Sequence, residues 1–144
     1  MNLRITLLLL LFPLLNAGAQ DIPASQNPTH CNVAGNYKGN FSGKLTGTWN
    51  ATVNPYTGDV SINMVWDNNL AAGAGSITST SEHPSAHIKF YEGIFEGVFK
   101  NFDEHNTASA FSGQWKNRQY AGDFRGKRIS YPSATCHLYT HKTQ

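Results

Sequence analysis

An all-β fold, a single antiparallel meander curled into a barrel with its ends tied by one disulfide, follows from three observations. Apolar and polar residues alternate with period two over much of the chain after Ala19. An aromatic–glycine pattern of fixed spacing recurs along it. The two cysteines, Cys31 and Cys136, flank the alternating region.

Taken in order, Met1 to Ala19 reads as an export signal. A single cation, Arg4, precedes the apolar run Leu7 to Phe12, which ends at Pro13, and Asn16-Ala17-Gly18-Ala19 supplies a small-x-small cleavage site. The expected location is therefore secreted or periplasmic, and no cysteine follows the cut to carry a lipid, so no membrane anchor is expected. Residues 20–34 carry Pro23 and Pro28 and show no periodicity, which predicts an extended lead-in to a domain over 35–140.

From Tyr37 to Val53 every odd position is aromatic, aliphatic or glycine and every even one polar. Unbroken, that segment would run about 56 Å at ~3.3 Å per residue, too long for a small domain. A turn at Ser42-Gly43-Lys44 keeps both halves in phase and sets Tyr37 across from Trp49; a long strand kinked at its glycines is the alternative. Asn54 to Asp59 is a turn by its Pro55 and Gly58. Val60, Ile62, Met64 and Trp66 alternate again, Asp67-Asn68-Asn69 turns the chain, and Gly73 to Thr80 is a strand. After the loop around Pro84, strands are expected over Ala86–Tyr91 and Ile94–Lys100, separate or as one strand bent at Gly93. The polar segment Asn101 to Asn106 leads to Thr107–Trp115, and Lys116 to Gln119 turns into Tyr120–Ile129. No stretch after the signal carries a helical period.

The recurring pattern is Y-x-G-x-F-x-G, at Tyr37 to Gly43, Tyr91 to Gly97 and Tyr120 to Gly126. On one face of a strand it alternates aromatic with glycine, so a ring can cover a glycine of the neighbouring strand while the glycines allow sharp coiling. The unequal spacing of the copies excludes a solenoid or propeller. In an oxidising compartment Cys31 and Cys136 are expected to pair with each other, which requires the first and last strands to meet, as they do when a sheet closes.

Charged residues are 14% of the chain, and without Arg4 the basic residues nearly balance the 9 acidic ones. Such a balance argues against nucleic acid as a partner, because phosphate binding demands a basic excess. No G-x-S-x-G, G-x-G-x-x-G, phosphate loop, H-E-x-x-H or C-x-x-C occurs, so no enzyme activity and no cofactor are expected. The nearest catalytic constellation is Glu82-His83-Pro84-Ser85-Ala86-His87, where two imidazoles and a carboxylate could hold zinc for a small metal-assisted hydrolase. Asp103-Glu104-His105 reads as a charged loop tip.

At Gly47-Thr48-Trp49 the chain resembles the calycins, whose barrels open with a G-x-W strand covered by a basic residue of the last strand; that resemblance implies Arg128 over Trp49. The fuller resemblance, over Gly35 to Ile129, is to small exported bacterial β-meander domains rich in G-T-W and G-x-F-x-G. A second resemblance is to avidin-like barrels. It rests on Leu45 to Trp49 and on Phe99-Lys100-Asn101 followed by Thr107 to Gln114, although both tryptophans of that segment are phenylalanine here. It implies biotin as ligand, Thr107 and Ser109 as its hydroxyl partners, and Phe99 and Phe111 as walls. The candidate ligand-binding set is then Trp49, Trp66, Phe99, Thr107, Ser109, Phe111 and Arg128. The expected function is a non-enzymatic exported barrel that binds a small molecule or blocks a partner protein, of inhibitor or immunity type.

Overall fold

The computed structural model describes residues 28–78, 83–131 and 136; the expected export signal and most of the lead-in lie outside them. Eight strands follow one another: β1 (Gly35–Gly43), β2 (Gly47–Val53), β3 (Asp59–Trp66), β4 (Asn69–Ile77), β5 (Ser85–Phe90), β6 (Gly93–Phe102), β7 (Ala108–Asn117) and β8 (Ala121–Ser130). Each pairs antiparallel with the next, and β8 returns to β1, so the meander closes into a barrel with no free edge. The expected fold class and the Cys31–Cys136 disulfide, with α-carbons 5.5 Å apart, are both present.

The tight turns have the chemistry their backbone requires. Asp67 and Asn68 link β3 to β4 with φ of 42° and 65°, the doubly left-handed conformation of a two-residue hairpin that short polar side chains tolerate. Between β2 and β3 the Asn54 side-chain oxygen accepts from the N–H groups of Tyr56 and Thr57, and Gly58 supplies φ of +72°. Gly93 begins β6 after a hairpin at Tyr91-Glu92, so β5 and β6 are two strands.

The turn between β1 and β2 lies one residue later than expected. Gly43 closes β1, and the register sets Tyr37 across from Ala51 and Gly39 across from Trp49. That register puts a bare glycine opposite the indole, and Phe41 opposite Gly47, whereas pairing Tyr37 with Trp49 would oppose two large rings on one face.

Inward positions carry the aromatics and outward ones the Lys, Asn, Ser and Thr, the reverse of a lipid-facing barrel. Rings from non-adjacent strands meet because glycines on the strands between them leave room. The Trp49 ring lies against Gly126, Trp115 against Gly122, and Phe111 and Phe124 against Gly97.

The described part of the lead-in is a turn over the barrel end rather than an extended segment. The amides of Val33 and Ala34 both donate to the His30 carbonyl. His30 N–H donates to the Pro55 carbonyl and Ala108 N–H to that of Asn32. Val33 is buried beneath, its carbonyl accepting from the Tyr37 phenol at 2.8 Å. The disulfide ties this cover to Cys136, which follows β8.

Candidate functional site

The interior is occupied by its own side chains. Phe99 and Phe111 stack on each other, ring centres 4.4 Å apart and 21° from parallel. Tyr37 meets both edge-on, at 5.4 and 6.2 Å. Trp49 packs on Phe111 at 5.9 Å and on Phe124 at 5.6 Å, and Phe95 lies 4.7 Å from Phe124. Phe41 then bridges to Trp115 at 5.7 Å and Trp66 at 6.4 Å. Ile62, Ile88 and Met64 complete this core from β3 and β5. Phe99 and Phe111, expected as walls of a site, pack on each other as cross-strand neighbours, and the space inside them is taken by Tyr37 of β1 and Trp49 of β2.

The two hydroxyls of the avidin-like set are engaged where β6 and β7 join, one in the loop and one between the strand ends. Thr107 is buried, its N–H donating to the Asp103 carboxylate at 3.0 Å and its hydroxyl to the His105 carbonyl at 3.4 Å. Ser109 is exposed and donates to the Asn101 carbonyl at 2.8 Å. Trp66 sits at the other end of the barrel, half-buried, near the β3–β4 turn. The structure thus brings Trp49, Phe99 and Phe111 together in one core, packs Trp66 on its far edge through Phe41, and leaves Ser109 on the outside.

Arg128 does not cover Trp49. Its guanidinium lies 3.9 Å from the centre of the Tyr131 ring, a cation–π contact, with Nη2 3.9 Å from the Asp103 carboxylate. The register explains the change of partner: Arg128 is opposite Tyr37, while the indole of Trp49 lies over Gly126, where no side chain competes for the space. Only 7% of the Arg128 side chain is exposed, and among the described residues its buried Nη1 has no hydrogen-bond partner. Burial pushes the Tyr37 phenol well above the usual tyrosine range, and the nearby Arg128 charge opposes that shift.

The end opposite the lead-in is lined by Leu45, Trp66, Phe90 and Tyr120, which pack half-exposed on the core. Beyond them Tyr91 is 96% and Leu70 71% exposed, and Leu70 pairs on the outer face with Val65.

The closed register also arranges the outer wall into transverse rows. One runs His87, Glu96, Gln114, Asp123 across β5 to β8. In it His87 Nδ1 lies 2.8 Å from the Glu96 carboxylate, so this imidazole of the expected metal set is engaged with a carboxylate on β6. His83 is exposed just before β5, Glu82 falls outside the described residues, and among the described residues no three His, Cys, Asp or Glu side chains group as a metal site. A second row runs Lys100, Ala110, Lys127, Lys38, Asn50 across β6 to β2, with Arg125 and Asn40 paired one step away. A groove of about 380 Å³ borders Lys38, lined by Asn36, Thr48, Asn50, Thr52 and Ile129 among others. Sequence reasoning missed this cationic row. Period two puts these residues on the outer face, but their alignment is set by cross-strand register, which no single strand encodes.

No family model matches the chain, and neither a curated protein nor a solved structure matches it; the eight-stranded closed meander itself is compatible with the calycin-like barrels.

Proposed function

We propose that this chain is a non-enzymatic exported binding protein that works through its outer wall, blocking a partner protein rather than carrying a small molecule in its interior. The observation that carries the reading is the contact of rings across the barrel, Tyr37 of β1 on Phe99 of β6 at 5.4 Å and Trp49 of β2 on Phe111 of β7 at 5.9 Å, which fills the space a lipocalin-type ligand would need. The disulfide agrees with an oxidising compartment, and the closed sheet makes the wall rigid, which lowers the ordering cost of binding a partner.

The test uses the exported chain purified from its own host under native conditions. Native mass spectrometry is expected to find the protein without a bound small molecule. The immobilised protein is expected to retain one stoichiometric partner from the host's extracytoplasmic fraction and to inhibit that partner's activity when added back. A small molecule that co-purifies in equimolar amount and is released on unfolding overturns the reading.

A further inference from the structure

The wall formed by β8 and β1 carries an electrostatic cost that the fold does not need. Lys127 and Lys38 stand directly opposite each other in the register, both exposed, on strands that lie about 4.8 Å apart. Like charges in such a pair destabilise a sheet. Lys100 continues the row two strands away, with the small Ala110 between, and Arg125 lies two residues from Lys127 on the same outer face. Among the described residues none of these four cations is in a salt bridge. The carboxylate nearest along β8, Asp123, belongs to the row beyond Arg125, opposite Ser42 and Gln114. In a chain whose charges nearly balance overall, four cations gathered on one wall make a local positive surface rather than a sample of the average.

The chemistry beside the cations narrows what fits there. Asn40, Thr48 and Asn50 offer amide and hydroxyl groups of both hydrogen-bonding senses on the same face. Ile129 is 63% exposed, at a one-residue bulge where β8 passes Asn36 and Tyr37, and it lines the groove beside Lys38. These rows present no aromatic ring on which a nucleic-acid base could stack. Cations, amides and one exposed aliphatic side chain together match a peptide segment that carries carboxylates and an apolar residue.

We propose that the β8–β1 wall docks an acidic segment of the partner protein, with Lys38 and Lys127 at the centre, Arg125 and Lys100 flanking, and Ile129 receiving an apolar side chain of the same segment. This deepens the blocking function and rests on it. The repulsion between Lys38 and Lys127 is relieved when a carboxylate bridges them, so part of the binding free energy is stored in the free protein.

The probe is a synthetic glutamate-rich peptide that contains leucine, titrated into the ¹⁵N-labelled disulfide-bonded chain and followed by backbone NMR. Saturable shifts are expected at Lys38, Arg125, Lys127 and Ile129, weakening as salt is raised. The K38E/K127E double variant is expected to bind at least about tenfold more weakly. The K38Q/K127Q variant, which removes the repulsion without reversing charge, is expected to keep the native spectrum and to melt no lower than the parent. Shifts confined to another face, or no saturable shift at low salt, overturn the proposal. Binding of dextran sulfate but not of the peptide also overturns it and makes the wall a polysaccharide surface. A partner retained equally by the parent and by K38E/K127E overturns this face while leaving the blocking function standing, whereas a small molecule found in the barrel removes the blocking function itself.

Discussion

Trp115 and Ser42 are joined across a strand that belongs to neither of them. The indole N–H of Trp115 on β7 donates to the carbonyl of Ser42 on β1 at 2.9 Å, passing over β8 at Gly122. A β-carbon at Gly122 would stand 1.8 Å from that carbonyl oxygen and 2.7 Å from the indole nitrogen. The absence of a side chain on β8 is thus what lets β7 and β1 communicate through the core.

Gly122→Ala is therefore expected to destabilise the barrel by about 1 to 3 kcal/mol, the range for overpacking where the neighbour is backbone and cannot yield. Urea unfolding measures it. A loss below about 0.5 kcal/mol, the scale of an ordinary surface change, would mean that β8 shifts freely and that the Trp115–Ser42 bond is not a constraint.

Removing the disulfide acts mainly on the unfolded chain. Cys31 and Cys136 are separated by 105 residues, and closing a loop of that size restricts the unfolded ensemble by roughly 4 to 5 kcal/mol in the entropy model. The C31S/C136S variant is expected to melt well below the parent while keeping the β-sheet circular dichroism of the native barrel. Mass spectrometry of the protein purified without reductant should find no free thiol; two free thiols would contradict the pairing.

Trp49→Ala is expected to cost about 3 to 5 kcal/mol, as for other large buried aromatics. The ring is buried between Phe111, Phe124 and Gly126, so its loss opens a cavity on three sides. Arg128→Met, by contrast, leaves the Trp49 environment intact, and its tryptophan emission should match the parent's. A loss below about 1 kcal/mol in urea unfolding of Trp49→Ala would place that indole outside the core.

Biotin is expected to leave both tryptophan emission and melting temperature unchanged, since Tyr37 and Trp49 pack on Phe99 and Phe111 in the space an avidin-like site keeps open. A melting shift of several degrees at micromolar biotin, by preferential binding to the folded state, would reverse this.

Alkaline pH tests the buried phenol. The folded state holds Tyr37 protonated, hydrogen-bonded to Val33, with its pKa raised by burial, whereas the unfolded phenol ionises in the usual tyrosine range. Its contribution is fully present below that range and is lost as pH rises through it toward the folded value. Unfolding free energy should fall above about pH 10 with a steeper slope in the parent than in Tyr37→Phe. Equal slopes would mean that Tyr37 is ionisable in the native barrel.

Much of this molecule was legible in the sequence. Alternation from Tyr37 to Val53 assigned Phe41, Trp49 and Val53 to the inner face, and the second and third Y-x-G-x-F-x-G copies contain Gly97, Gly122 and Gly126, which rings cover, whereas Gly39 and Gly43 of the first meet only backbone. These are local properties, because side-chain direction in a strand depends only on parity. The position of the β1–β2 turn was less legible, since moving it by one residue preserves parity and leaves the hydrophobic pattern equally satisfied.

The candidate site divides along the same line. That Trp49, Phe99 and Phe111 are large and apolar is written in the chain; that Tyr37 and Trp49 reach Phe99 and Phe111 from three strands away, and so fill the lumen, depends on the closure of β8 on β1. Arg128 has the parity expected of it but stacks on Tyr131, because Gly126 has already given the indole its place. Lys38, Lys100, Arg125 and Lys127 become one surface only when β8 closes on β1. The sequence by itself determined which face each residue takes, since period two is a property of one strand. Tertiary structure alone decided which residues stand side by side, since register and closure are relations between strands.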